Sequence, residues 1–297
     1  MTVIKKIRGI IGPKALYRYF DRLRWPLWRW SHRSQLPTLS AQDQHIVNEL
    51  ESKGLFMTTL DELGLPLTDK LLQAAEQLTP KIKTEPSYEY GGYFAEDIYC
   101  LHVPWEKLAS DGPDHILWAL NDRMLDIAER YIGVPLALIG ADLRRDLNDG
   151  LNIGNRKFHM DTEEAKWRRE LKVCLYLTDV TEETPCFEYI PLHLTPPANT
   201  TPRNSYKTEE MEEVVPRSSW KSCFGPRGTV LFLASNRIWH HARTPIVSGK
   251  DRVTGWWAYT SSRPFGHEQC KTEFNKEGML AMEPLLTPRQ KKVFIWY

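Results

Sequence analysis

Between Ser40 and Gly54 the apolar residues Ile46, Val47 and Leu50 recur on one side of a 3.6-residue period. Ser40 offers an N-cap, Asp43 an acid in the first turn and Gly54 a stop, so a helix is predicted there. A short apolar run, Leu55-Phe56-Met57, follows, and a second helix is expected from Asp69 to about Leu78, where Pro80 ends it. Residues 84 to 106 crowd aromatics and turn formers (Tyr88, Tyr90, Gly91, Gly92, Tyr93, Phe94, Tyr99) without any period and predict an irregular loop suited to covering a site mouth. A long helix is expected over Pro113 to Tyr131, with Leu117, Leu120, Met124, Ile127 and Ala128 on one face and Gly133 closing it.

Beyond Gly133 the apolar period shortens to two. Val134 to Leu143 predicts a strand, and Arg144 to Gly154 a connection with turn chemistry in Asn148-Asp149-Gly150. From Leu171 to Leu177 the alternation is strict: Leu171, Val173, Leu175 and Leu177 take one face, and Lys172, Cys174 and Tyr176 the other. Further strands are expected at Cys186–Ile190, at Val230–Leu233 after the turn Gly225-Pro226-Arg227-Gly228-Thr229, around Ile238–His241, and from Arg252 to Tyr259. Residues 195 to 222, with Pro196, Pro197, Pro202 and the run Lys207-Thr208-Glu209-Glu210-Met211-Glu212-Glu213, predict a polar insertion between strands. Helices first and strands afterwards predict a mainly β fold with flanking helices, one domain over residues 35–297 behind a distinct segment, 1–34.

Charge is what sets that segment apart. Residues 1–34 hold nine Lys/Arg and one acid, Asp21, in a chain whose net charge is +1, so the remainder carries −7. A mildly acidic body argues against general nucleic-acid binding. Ile4, Ile7, Ile10, Ile11, Leu16, Tyr19, Phe20 and Leu23 recur at helical spacing among the bases, and Trp25, Trp28 and Trp30 follow, with Pro26 breaking the run. A basic amphipathic helix ending in tryptophans suits a membrane interface, and equally suits packing on its own domain or on a second subunit. The five cysteines, Cys100, Cys174, Cys186, Cys223 and Cys270, are odd in number, contain no Cys-x-x-Cys pair and read as reduced thiols. With neither a membrane-spanning run nor a secretory leader, a cytoplasmic location is expected, with peripheral membrane contact through residues 1–34 left open.

The candidate chemistry lies in Asn155-Arg156-Lys157-Phe158-His159-Met160-Asp161 and, about eighty residues on, Asn236-Arg237-Ile238-Trp239-His240-His241. On an extended segment His159 and Asp161 point to one face, and a further imidazole completes a metal site. His240 and His241 both offer it, yet neighbours on a strand face opposite ways, so one of them reaches the ion. Two His and one carboxylate with the other positions open form the ligand set of non-haem Fe(II) oxygenases. A His-x-Asp alone carries little; the apolar runs that follow it, the second His and Arg252 give it weight.

This order resembles the phytanoyl-CoA dioxygenase-like branch of the Fe(II)/2-oxoglutarate oxygenases, a double-stranded β-helix (jelly-roll, cupin-like) family, from about Leu36 to Pro264. The resemblance implies Fe(II) held by His159, Asp161 and His240, with His241 as the alternative third ligand. It favours His240, which follows an aromatic residue and precedes Pro245 by five positions. It further implies 2-oxoglutarate on two open positions and O2 on the last, with Arg252 and Thr254 at the distal carboxylate, where a guanidinium offers two parallel donors. Lys172 and Tyr176 are further candidates for cosubstrate or substrate contacts. Pro191 is followed here by Leu192-His193 where the family usually has Gly-Ser-His, so no role passes to His193. The implied reaction yields succinate and CO2 and hydroxylates an unactivated C–H of a small-molecule or lipid-like substrate; a carboxylate at Asp161 disfavours halogenation. A non-catalytic jelly-roll binding protein and a two-His-one-Asp metalloenzyme not using 2-oxoglutarate are the competing readings.

Overall fold

A computed structural model describes residues 13–82, 100–148, 150, 152–196, 203–243, 250–265 and 276–295. Pro245, Cys270, Ile4, Ile7, Ile10, Ile11 and the aromatic stretch from Tyr88 to Tyr99 lie outside these. The first helix, α1 (Pro13–His32), runs straight through Pro26, against the sequence expectation of a break. An interior proline costs about 3 kcal/mol. Apolar burial offsets it: Trp25 is buried in the main core, with Trp28 edge-on to it at 5.6 Å.

Helix α2 (Ala41–Lys53) has the expected ends. Ser40 accepts the Asp43 N–H, and Gly54 closes the helix at φ 83°. After β1 (Leu55–Thr59) come α3 (Leu60–Leu63) and α4 (Thr68–Leu78), the latter close to its predicted bounds. The stretch expected to be irregular ends in β2 (Cys100–His102) and α5 (Trp105–Asp111). The single long helix expected from Pro113 is two, α6 (Pro113–Ala119) and α7 (Asp122–Ile132). Asn121 is the cause: it takes an extended conformation and its side chain accepts the Met124 N–H, starting a new helix where a continuous one was expected.

The remaining elements are β3 (Leu136–Asp146), β4 (Phe158–His159), β5 (Leu171–Tyr176), β6 (Cys186–Tyr189), β7 (Ser205–Tyr206), α8 (Thr208–Val214), β8 (Lys221–Cys223), β9 (Thr229–Leu233), β10 (His240–Arg243), β11 (Arg252–Ser261), α9 (Lys276–Met282) and α10 (Pro288–Phe294). They form two antiparallel sheets, ordered β1-β9-β5-β11-β3-β2 and β7-β4-β10-β6-β8. Two further expectations fail locally. Arg144 and Asp146 belong to β3 rather than to a turn, because Asp146 pairs with Arg252 of β11 and with Cys100 of β2. The insertion at 195–222 is not all polar loop: β7 pairs with β4, and Tyr206, Met211, Val215 and Trp220 bury an inner side against Phe158 and Trp239.

The alternation in β5 explains how the layers stack. Leu171, Val173 and Leu175 join the large core under the helices. Cys174 and Tyr176, with Leu231 and Leu233 of β9, face the other way and meet Cys186, Phe187, Tyr189 and Cys223 of the second sheet. The polar-looking face of β5 therefore lies between two sheets, not in solvent. Cys100, Cys174, Cys186 and Cys223 are free thiols, the last three buried.

Candidate metal centre

Strands β4 and β10 are neighbours, and His240 stands directly opposite His159. Asp161 leaves β4 with its N–H donated to the Ser235 carbonyl at 3.2 Å, which turns the carboxylate toward both imidazoles. A carbonyl oxygen only accepts, so the ring nitrogens that meet one must carry the protons. His159 Nδ1–H donates to the Lys157 carbonyl at 2.8 Å, and His240 Nδ1–H to that of Ile238 at 3.1 Å. Both Nε2 lone pairs are thereby left to face Asp161, 3.7 Å from Oδ1 for His159 and 3.8 Å from Oδ2 for His240. The three ligand atoms lie within 4.8 Å of one another.

Electrostatics keep these groups in ligating form. Burial and the neighbouring His159 lower the His240 pKa to about 3, and burial lowers that of His159, so both rings are neutral. Burial alone would raise the Asp161 carboxyl; the Lys172 ammonium holds it well below the usual carboxylate range. Lys172 Nζ sits 2.9 Å from Asp161 Oδ2, 3.1 Å from Glu163 and 3.6 Å from Glu170. Asp161, Glu163 and Glu170 also lie close enough together to hold an ion. Lys172 already stands among these three carboxylates, whereas two neutral imidazole nitrogens face Asp161 from the other side. Lys172 acts on the centre through Asp161, as the donor that fixes the carboxylate's orientation.

His241 is turned away. Its Nε2 meets Glu188 Oε2 at 2.9 Å, its Nδ1 the Arg156 carbonyl at 2.9 Å, and its ring stacks on Phe158. With both nitrogens engaged, it braces the sheet beside the site. His240→Ala is therefore expected to lose bound metal, whereas His241→Asn keeps metal stoichiometry and lowers only the melting temperature. Metal analysis of the two purified variants tests this, and metal loss in His241→Asn alone would reverse the assignment.

Arg252 opens β11, on the same strand face as Thr254 and Trp256. It is 1% exposed, with Nε and Nη2 donating to Asp146 Oδ2 at 3.0 and 2.8 Å. Its Nη1 is buried without a partner among the described residues. Arg144 reaches the same Asp146, 3.5 Å from Oδ1, and lies over the Trp256 ring. Against burial, Arg252 and then Arg144 hold the Asp146 carboxyl down at about 2. Two guanidiniums, Arg252 and Arg144, thus converge on the Asp146 carboxylate. Thr254 Oγ1 accepts from Trp256 Nε1 at 2.9 Å, and the Tyr176 hydroxyl donates to the Cys223 carbonyl at 2.8 Å, tying the sheets together. On β5, Tyr176 stands beside Thr254 and Lys172 beside Ala258, so one strand runs from the Arg252 end to the metal ligands. His193 is exposed, away from all of this.

Sequence reasoning missed Asp146, Arg144, His102, Glu188 and the carboxylates around Lys172. A signal existed for some of them. Asp142, Arg144 and Asp146 follow one another at period two, the mark of a polar strand face, and Asp142 holds a half-buried pair with His102 of β2, whose imidazole pKa, against burial, it pushes up to about 11.

No family model matches the sequence, and no curated protein matches it. Solved structures do. The non-haem α-ketoglutarate-dependent epimerase SnoN of nogalamycin biosynthesis is 18% identical, with 80% of this chain and 89% of that chain covered at a TM-score of 0.53. The carbocyclase SnoK of the same biosynthesis, also non-haem and α-ketoglutarate-dependent, is 20% identical over 76% and 86% of the two chains, TM-score 0.51. HygX from Streptomyces hygroscopicus, with nickel and 2-oxoglutarate bound, is 14% identical over 75% and 88%, TM-score 0.50. The likeness is one of fold.

Proposed function

We propose that this protein is an Fe(II)- and 2-oxoglutarate-dependent dioxygenase of the phytanoyl-CoA dioxygenase-like type, its two sheets forming a double-stranded β-helix, and that it hydroxylates a C–H bond of a small-molecule or lipid-like substrate. The observation that carries the reading is the pair of neutral imidazoles, each with its Nδ1–H tied to a backbone carbonyl and its Nε2 aimed at one carboxylate. The donor set fits Fe(II) of the facial-triad type, with one face left for other ligands. His159, Asp161 and His240 would hold the ion. Bound there, iron with 2-oxoglutarate and O2 supplies the oxidising chemistry.

This chain's own residues then have definable tasks. Carbonyls of Lys157 and Ile238 fix the imidazole tautomers, and Lys172 fixes Asp161. Arg252, 1% exposed and with its Nη1 unpartnered among the described residues, would receive a ligand carboxylate in the interior. Thr254 lies beside it on the same face. The five-stranded sheet, with β7 at its edge, carries His159 and His240 on adjacent strands.

Anaerobic titration of metal-free protein with Fe(II) and then 2-oxoglutarate tests the reading. A weak visible charge-transfer band is expected only when both are present. Metal binding without the band would point to a metalloenzyme that does not use 2-oxoglutarate, and no metal binding would leave a binding protein.

A further inference from the structure

Helix α1 presents two faces of opposite use. The inner one is fastened to the body. Asp21 accepts from Trp167 Nε1 and Arg168 Nε, both at 2.9 Å, Trp25 is buried beneath the Arg168 guanidinium, and His32 Nε2 meets Glu129 at 2.9 Å. Arg168 also grips Glu164, three residues after Asp161, so α1 is held by the connection that leaves the metal ligand. The outer face carries Tyr19, Phe20, Leu23, Leu27 and Trp30, exposed by 61, 52, 52, 66 and 62%, while Tyr17 stacks on Phe265 of the body. Such a stripe of large apolar side chains needs a partner.

Charge decides which partner. Arg18, Arg22 and Arg33 flank the stripe on one side and Arg24 on the other; all four are exposed. Arg18, Arg22 and Arg24 have no ion-pair partner among the described residues. Aromatic rings stand at both ends of the stripe, Tyr19 and Phe20 at one and Trp30 at the other. A second copy of this chain laid face to face would set these arginines against each other, with no acid on the stripe to separate them. An anionic lipid surface meets all three features: acyl chains for the apolar stripe, headgroup level for the rings, phosphates for the arginines. The helix is too polar to span, since no described helix is long and apolar enough to cross a membrane.

We infer that the outer face of α1 is a docking surface for an anionic lipid bilayer, on which the helix lies in the plane of the headgroups and holds the catalytic body at the membrane.

Co-sedimentation of the full-length protein with vesicles of phosphatidylcholine alone, and of phosphatidylcholine mixed with phosphatidylglycerol, tests this. The wild type is expected to bind the mixed vesicles at least tenfold more strongly. Each cation near an anionic surface strengthens partitioning roughly fivefold, so Arg18→Gln/Arg22→Gln/Arg24→Gln lowers binding about a hundredfold. Leu23→Ser/Leu27→Ser/Trp30→Ser abolishes it. Both triple variants alter exposed side chains only, so their circular dichroism and melting temperatures stay at wild-type values, which separates lost docking from lost fold. Absence of wild-type binding to mixed vesicles overturns the inference. So does equal binding to neutral vesicles that is indifferent to the arginines, or a dimer in sedimentation velocity that the Leu23/Leu27/Trp30 variant dissolves, since the stripe would then be covered by a second copy.

Discussion

Asp161→Ala is expected to cost the protein its metal and its turnover while leaving the fold standing. Asp161 is the one carboxylate that both imidazole Nε2 atoms face, and without it the site offers two neutral nitrogens and no negative charge to the ion. Changing a residue that merely orients a ligand typically weakens metal binding about 10- to 100-fold, so loss of the ligand itself should exceed about 100-fold. Fe(II) affinity, measured anaerobically against a competing chelator, reads this directly. Lys172 keeps Glu163 and Glu170 as partners in the variant, so its ammonium is not stranded and thermal stability should change little. A variant that bound Fe(II) like wild type would refute the ligand assignment.

Arg252→Leu carries the second large effect, and here stability and ligand binding change together. The substitution takes from Asp146, which is 3% exposed, its two short hydrogen bonds and leaves it only the 3.5 Å contact to Arg144. Breaking a buried pair on one side costs about 3 to 5 kcal/mol. Adding Asp146→Asn removes the buried charge and should restore most of the melting temperature, yet neither variant regains the guanidinium, so 2-oxoglutarate binding stays weak in both. That divergence separates a cosubstrate anchor from a purely structural pair; recovery of both properties in the double variant would assign Arg252 to the fold alone. The pH dependence has a definite sign. In wild type the Asp146 carboxyl is held at about 2 against an ordinary value of 3.8, so its contribution to stability is present above 3.8 and fades as the pH falls toward 2. In Arg252→Leu only the longer contact to Arg144 opposes burial, so the carboxyl pKa rises from its wild-type position. The deficit is then greatest at neutral pH and narrows on acidification, as protonation removes the buried charge.

Periodicity made the frame legible, because burial selects apolar residues wherever one face of an element is covered. The caps of α2, the closing Gly133 and the strict alternation of β5 all survive into the structure. What period alone could not read was the meaning of polar positions. Lys172 and Tyr176 stood on a face that looks solvated from composition, and only the second sheet reveals it as interior. Arg144 and Asp146 read as part of a turn-bearing connection because charged residues seldom line a buried strand; pairing of Asp146 with Arg252 makes the burial tolerable. The break between α6 and α7 was hidden because apolar spacing continues across it, and one amide side chain at Asn121 overrides the pattern. At the metal centre the strand period placed His159 and Asp161 on one face. Choosing between His240 and His241 required the distant partners Glu188 and Arg156, which no local pattern contains.

The short strand β7 also bears on solubility. Ser205 and Tyr206 pair with His159 and Phe158, so the strand carrying the candidate ligand His159 is an interior member of its sheet. Without this cover, β4 would be an edge, with unpaired backbone donors and acceptors offered to any passing chain. A segment that composition marks as a loop therefore acts as a guard against edge-to-edge aggregation, and the proline-rich, acidic sequence around it is poorly suited to recruiting a further strand in its turn.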